Sequence, residues 1–274
     1  MNLSIPLYAL LSAFFLHEKP LTGGFLEQQK EQKEQKEQKK WNCSITFFDS
    51  YGNEPPLEMK NTIIKGIQSQ IQNSLYFDSI TKRYFDTRVQ KDKRTTGQCG
   101  IFAIHFIENM IFGDFNLNDY TDQNMVKLRN YYFNTKTSVL RCKPDAVSLE
   151  DLMQTRKIRL RDDTIIDSND KNSGCEEKSE YPYTKMSEWL SNKDIDEILL
   201  PYEQIPELKF KHFNTVGIDA ADPEKCYSQE LCDLDIDHLF EQGIRNFGIV
   251  YNTDPTHSYG QHWIALFVKF EEKK

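Results

Sequence analysis

Three short stretches of this sequence place reactive side chains where they can do chemistry rather than simply pack. Gly97-Gln98-Cys99-Gly100 is a polar loop that runs directly into the apolar segment IFAIHFIENMI. A cysteine at a helix N-terminus lies in the positive end of the macrodipole, which lowers its pKa and favours the nucleophilic thiolate. Gly100 leaves room for a second backbone to approach closely. Gly260-Gln261-His262-Trp263 opens the strand-like HWIALFVKF, and an imidazole at a strand's mouth can take up and return a proton. Phe48-Asp49-Ser50 ends a hydrophobic run in a carboxylate, which can accept an imidazole N–H and hold its tautomer. Thiol, imidazole and carboxylate together would support nucleophilic acyl transfer. Each alone has an ordinary reading as a buried thiol, a packed histidine or a turn-initiating Asp. His105 lies inside the Cys99 helix and can simply pack; His257 falls on a polar loop.

These groups are far apart in the chain, so the elements carrying them must meet in space. Trp41 to Asp49 alternates and is rich in β-formers, hence a strand, and SYGNEPP after it is turn chemistry. Leu57 to Leu75 reads as an amphipathic helix with Ile63, Ile64, Ile67 and Ile71 on one face. Tyr84 to Val89 reads as a short strand and 91–97 as a loop. The Cys99 helix is apolar on most sides, hence central and buried, and stops at Gly113; another helix follows over Asp122 to Phe133. From 134 to 184 the composition turns polar, a connector with a helix at 148–156 and a strand near 158–160. A helix over Met186 to Leu200 takes Ser187 as cap, with Trp189, Leu190, Ile195 and Ile198 at apolar positions. A short helix over 234–243 and strands over Asn246 to Asn252 and His262 to Phe270 complete the chain.

The 274 residues suffice for one large domain or two small ones. A net charge of −8 and a pI near 5.4 argue against nucleic acid as the main partner, since phosphate contacts need a basic face. Six cysteines, none in a CxxC pair, imply free thiols and a reducing, intracellular compartment. Cys226 and Cys232, with His238 six residues on, match no usual zinc spacing and read as two buried or loop thiols. Residues 1–40 stand apart. The apolar run 3–16 is too short to span a bilayer; it resembles a signal-peptide core, but no positive residue precedes it and no clear cleavage site follows, so an amphipathic or partner-docking helix is preferred and membrane association is not expected. Glu27 to Lys40 is a repetitive, solvated linker. Residues 41–274 are then one catalytic domain, made of a 41–133 half, the 134–184 connector and a 185–274 half.

Three blocks together, TDPTHSYGQHWIALFVKF, ITFFDSYGNEPP and VQKDKRTTGQCGIFAIHFI, resemble the adenain-like and SUMO-deconjugating cysteine proteases. The nearest likeness is to the virion-maturation proteases of large double-stranded DNA viruses, whose His strand typically follows a stretch like Gly248-Ile249-Val250-Tyr251-Asn252-Thr253-Asp254. The resemblance implies an α+β, papain-like fold of adenain type, with a small mixed sheet packed on a buried helix. It implies Cys99 as nucleophile, His262 as base and Asp49 as its orienting acid. Gln90 is the natural match for the oxyanion glutamine, with Gln98 as the rival; Trp263, Gly100 and Gln98 would line the substrate cleft. No metal or cofactor is implied.

The order departs from the family, which runs His, Asp, Gln, Cys. Moving 186–270 ahead of 41–133 restores it, so the chain reads as circularly permuted. The implied substrate is a protein cut at Gly-containing sites: a viral capsid or core precursor, or alternatively a conjugate of a ubiquitin-like modifier. If viral, the location is the virion or host cytoplasm. A non-catalytic binding or scaffold protein is the rival of another class.

Overall fold

The computed structural model describes residues 41–91, 97–133, 148–150, 152–153, 189–258 and 260–273. The readings made for residues 1–40, and most of those for the 134–184 connector, fall outside this set. Within the connector, Leu149, Glu150, Leu152 and Met153 are helical.

Strand β1 (Trp41–Phe48) is followed by helical turns: α1 (Leu57–Met59), a π-turn (Lys60–Ile64) and α2 (Lys65–Asn73). Then come β2 (Phe77–Tyr84), α3 (Cys99–Phe112) and α4 (Asp122–Phe133). The later half holds α5 (Asn192–Leu199), β3 (Phe210–Gly217), α6 (Gln229–Cys232), α7 (Ile236–Glu241), β4 (Asn246–Asn252) and β5 (Trp263–Glu272). The five strands form one mixed sheet in the order β2-β1-β5-β4-β3. β5 is its centre, antiparallel to β1 and to β4, whereas the outer pairs β1–β2 and β3–β4 are parallel.

The alternation of β5 explains why both faces must be covered. Trp263, Ala265 and Phe267 share one buried cluster with α3, α4 and α5. Ile264, Leu266, Val268 and Phe270 share the other with the Ile63–Ile71 face, α6 and α7. A strand apolar on both faces needs a layer on each side. The buried helix is α3, where every residue from Cys99 to Asn109 is buried, and Gly113 ends it in the left-handed conformation (φ 71°). Gly248 on β4 lets α3 come close: a Cβ there would stand 2.9 Å from Ile107 Cδ1. The mixed sheet packed on a buried helix agrees with the sequence reading.

Four readings need correction. The strand expected at Tyr84–Val89 lies earlier, at Phe77–Tyr84, and 85–90 instead runs beside the turn after β1. β3 has no counterpart in the sequence reading; it is interrupted by a bulge between His212 and Thr215, with Asn214 at φ 52°, which breaks the alternation that would reveal it. The helix expected from Met186 begins at Asn192. Ser191, not Ser187, caps it through a reciprocal capping box with Asp194, leaving Trp189 and Leu190 outside. Lastly, Cys226 and Cys232 are not free thiols but a disulfide.

Phe48, the last residue of β1, stacks on Phe106 of α3 at 4.9 Å and is 1% exposed, so it joins sheet to helix next to Asp49. Phe48→Ala is expected to cost about 3–5 kcal/mol of stability, by lost burial plus the cavity left behind. Urea denaturation of variant and wild type measures it.

Candidate active site

Asp49 follows directly on β1, and its carboxylate is fixed before it meets the histidine. Oδ1 accepts from the Tyr51 backbone N–H (2.8 Å), and Oδ2 accepts from the Asn53 side-chain amide (2.7 Å). The turn is closed by Gly52 N–H donating to the Asp49 carbonyl at 2.9 Å. Gly52 is required there: its φ is 74°, and a Cβ would stand 2.7 Å from the Asp86 carbonyl oxygen.

His262 is delivered by the loop after β4. Asn252, the last residue of β4, accepts on its side-chain oxygen from the Asp254 and Gln261 backbone N–H groups (2.9 and 3.3 Å). Thr253 N–H bonds the His262 carbonyl at 2.9 Å. The antiparallel register of β1 with β5 then sets the imidazole beside the carboxylate, with His262 Nε2 2.6 Å from Asp49 Oδ1. Both are buried, at 9% and 3% exposure.

Cys99 begins α3 and is 1% exposed, with its thiol close enough to act on the His262 ring. Asp49 meets Nε2, and Nδ1, also buried, is the other ring nitrogen. Burial pushes the His262 pKa down, but the Asp49 hydrogen bond and the Cys99 interaction outweigh it and raise it to about 9. Burial likewise pushes the Asp49 carboxyl up, and its bonds to His262, Tyr51 and Asn53 more than offset this and hold it below its ordinary value.

The two glutamines differ. Gln90 is 2% exposed, and its side-chain oxygen accepts from the Ser50 hydroxyl at 2.7 Å. Val89 and Gln90 N–H groups both donate to the Ser50 carbonyl (3.0 and 2.9 Å). Gln98 sits at the N-cap of α3 without a capping side-chain bond, and its buried side-chain oxygen has no partner. Arg129 of α4, also buried, donates to the Gly97 carbonyl at 3.0 Å and steadies the entry to α3.

Trp263 is buried at 4%, and its indole N–H donates to the Leu190 carbonyl at 3.2 Å. A Cβ on Gly100 would meet Leu190 Cδ1 at 2.9 Å and Trp263 Cδ1 at 3.2 Å. His105 packs, with Nε2 3.1 Å from the Asn109 amide and its ring against Tyr120. His257 is exposed. Sequence reasoning missed three contributors. Ser50 was visible only as a turn residue and Leu190 only as a helix position, because their roles lie in a hydroxyl and a carbonyl that no spacing announces. Tyr51, whose ring stacks on His262 at 4.5 Å, read as turn chemistry. Among the described residues no His/Cys/Asp/Glu cluster could hold a metal ion, and no helix is long and apolar enough to cross a membrane.

Comparison with known proteins places this site in context. Residues 28–143 match the Ulp1 protease family, C-terminal catalytic domain. Over 97 residues the chain is 34% identical to the Acanthamoeba polyphaga mimivirus protein R355, assigned as a thiol protease. That match spans 35% of this chain and 30% of the relative, so the chain covers less than a third of the relative's length. No solved structure matches. The family match takes in Asp49, Gln90, Gln98 and Cys99 and stops before His262.

The histidine's raised pKa makes a stability statement. Its stabilising contribution is complete below an unfolded pKa of about 6.5 and is lost as pH rises through about 9. The stability difference between wild type and His262→Ala is therefore expected to shrink across that window. Urea unfolding of both proteins at a series of pH values measures it.

Proposed function

We propose that this chain, kin to the Ulp1-type cysteine proteases across residues 28–143, is a cysteine endopeptidase with Cys99 as nucleophile, His262 as general base and acid, and Asp49 as the group that orients the imidazole. The observation that carries the reading is the 2.6 Å His262–Asp49 bond beside a buried thiol at a helix N-terminus, made by residues 213 positions apart.

Asp49 holds the proton on Nε2, so Nδ1 is the nitrogen that takes the thiol proton. The thiolate attacks the scissile carbonyl carbon, and the carbonyl π electrons move onto oxygen. Gln90 NH₂ and the Cys99 backbone N–H donate to that oxyanion. On collapse the C–N bond breaks, and the imidazolium proton goes to the leaving amine. Water, deprotonated by His262, then attacks the thioester, releasing a carboxylate and restoring the thiol–imidazole pair. Gln90 is preferred to Gln98 because the Ser50 hydroxyl fixes its amide orientation.

The chain order is that of a circular permutant. The family match ends at 143, whereas the histidine stands at 262, just before β5, whose far end pairs with the start of β1, Trp41 opposite Glu272.

The preferred substrate is a viral capsid or core precursor cut after small residues, a choice that rests on the mimivirus relative and on the tight packing of Gly100 against Leu190 and Trp263. The Ulp1-type match favours a second reading, removal of a ubiquitin-like modifier. Purified protein offered capsid precursors and modifier fusions decides between them; cleavage of the modifiers alone would reverse the order. Cys99→Ala is expected to abolish cleavage while leaving the circular-dichroism spectrum intact. Gln90→Ala is expected to lower kcat on the order of 10²-fold. Ser50→Ala should lower it by a smaller factor, and Gln98→Ala least of the three. A kcat loss larger for Gln98→Ala than for Gln90→Ala would reassign the oxyanion donor.

A further inference from the structure

We propose that Tyr51 is a positioning residue for the reaction: its ring, stacked on the His262 imidazole, fixes the plane of that imidazole and favours its protonated form. The proposal rests on the reading of His262 as the base. Tyr51 and His262 ring centroids are 4.5 Å apart with 23° between the planes, a face-on offset stack. The face of a phenol ring is electron-rich, so it attracts a cation lying over it. An imidazolium gains from that contact more than a neutral imidazole does.

Tyr51 is itself held from two directions. Its backbone N–H donates to Asp49 Oδ1, the same oxygen that meets His262 Nε2. Arg88 lies with its guanidinium carbon 5.5 Å from the Tyr51 ring centroid. The same guanidinium donates to the carbonyls of Gln90 (2.9 Å) and Lys91 (3.0 Å). Arg88 thus ties the ring to the segment that presents Gln90. The charged and titratable groups around the pair come from every element packed there. They are Asp49 after β1, Cys99 at the head of α3, Arg88 before Gln90, and Asp122 in the first turn of α4. Asp49 and Cys99 act on both rings, whereas Arg88 and Asp122 act on Tyr51. Asp49 restrains one ring nitrogen, but a single hydrogen bond leaves the imidazole free to rock about its axis. The stacked ring closes off that motion and so keeps the second ring nitrogen, Nδ1, aimed in one direction.

The test uses the full chain. In Cys99→Ala protein the His262 ring is titrated by NMR, its signals assigned by their loss in a His262→Ala variant. Adding Tyr51→Leu is expected to lower the titration midpoint by about half a pH unit. Tyr51→Phe, which keeps the ring and loses only the hydroxyl, restores it. Pentafluorophenylalanine at position 51 keeps the bulk but inverts the ring's charge distribution, and it lowers the midpoint as Leu does. With Cys99 present, Tyr51→Leu is expected to reduce kcat about threefold to tenfold, leave KM within about twofold, and bring the alkaline limb of the rate profile to lower pH. Tyr51→Phe recovers most of that loss. A midpoint unmoved in both the Leu and pentafluorophenylalanine proteins overturns the proposal. So does a loss confined to KM, which would make Tyr51 a substrate contact. Absence of turnover in the wild type would instead count against the protease reading, and the NMR titration would still decide the stack.

Discussion

The antiparallel pairing of β5 with β1 is the constraint on which the rest of the molecule depends. Eight consecutive rungs run from Trp41–Glu272 to Phe48–Ala265, and in β5 every side chain from Trp263 to Val268 is buried. A slip of one residue would turn each apolar side chain of β5 to the opposite layer, so the register is strongly specified. That register sets the position of Asp49 against His262. Neither residue chooses its partner by local preference; each is carried there by a strand whose burial admits one alignment.

The thiol is positioned by a separate device. A helix apolar on all sides must be central, and α3 is buried from Cys99 to Asn109. It also carries Glu108, 0% exposed, whose carboxylate accepts from the Tyr132 and Tyr202 hydroxyls. Those tyrosines come from the two halves of the chain, one on α4 and one in the turn after α5. Leaving a buried carboxylate without such partners would be costly, so the trio fixes α3 against its neighbours on both sides. At the other end, Arg129 grips the Gly97 carbonyl. Cys99 is thus held by contacts two residues before it and two to three turns after it.

What was legible in the sequence follows from these devices. Cys99, His262 and Asp49 stand where element types change, loop to helix, loop to strand and strand to turn, and such boundaries leave strong local signals. Strands β1, β4 and β5 and helices α3 and α4 are long or apolar enough to read directly. β3 was not, because its bulge breaks the period, and Ser191 displaced the expected start of α5 through a capping box five residues into the expected helix. The contributions of Ser50, Leu190 and Tyr51 depend on tertiary contacts with Gln90, Trp263 and His262, so no window of neighbouring residues contains them. The Cys226–Cys232 disulfide was hidden for a different reason. A pair six apart can bond only if the backbone between them folds back, and here Cys226 takes φ 43° while Cys232 N–H donates to Ser228 O.

Under the permuted reading, one further quantity asks whether such a fold can stand. In the family order the His and Asp strands are joined by a tight turn; here Asp49 and His262 are 213 residues apart. Closing a loop of that length rather than one of about five residues costs roughly 3 kcal/mol more, since the entropy grows only with the logarithm of length. Each fully buried large apolar side chain of β5 returns about 1.5–3 kcal/mol, and Ile264, Leu266, Phe267 and Val268 are all 1% exposed or less. Two such side chains would therefore offset the longer closure that a rearranged connection demands. The central pairing joins residues more than two hundred positions apart, from Trp41 opposite Glu272 to Phe48 opposite Ala265, so β5 is expected to dock on β1 late in folding.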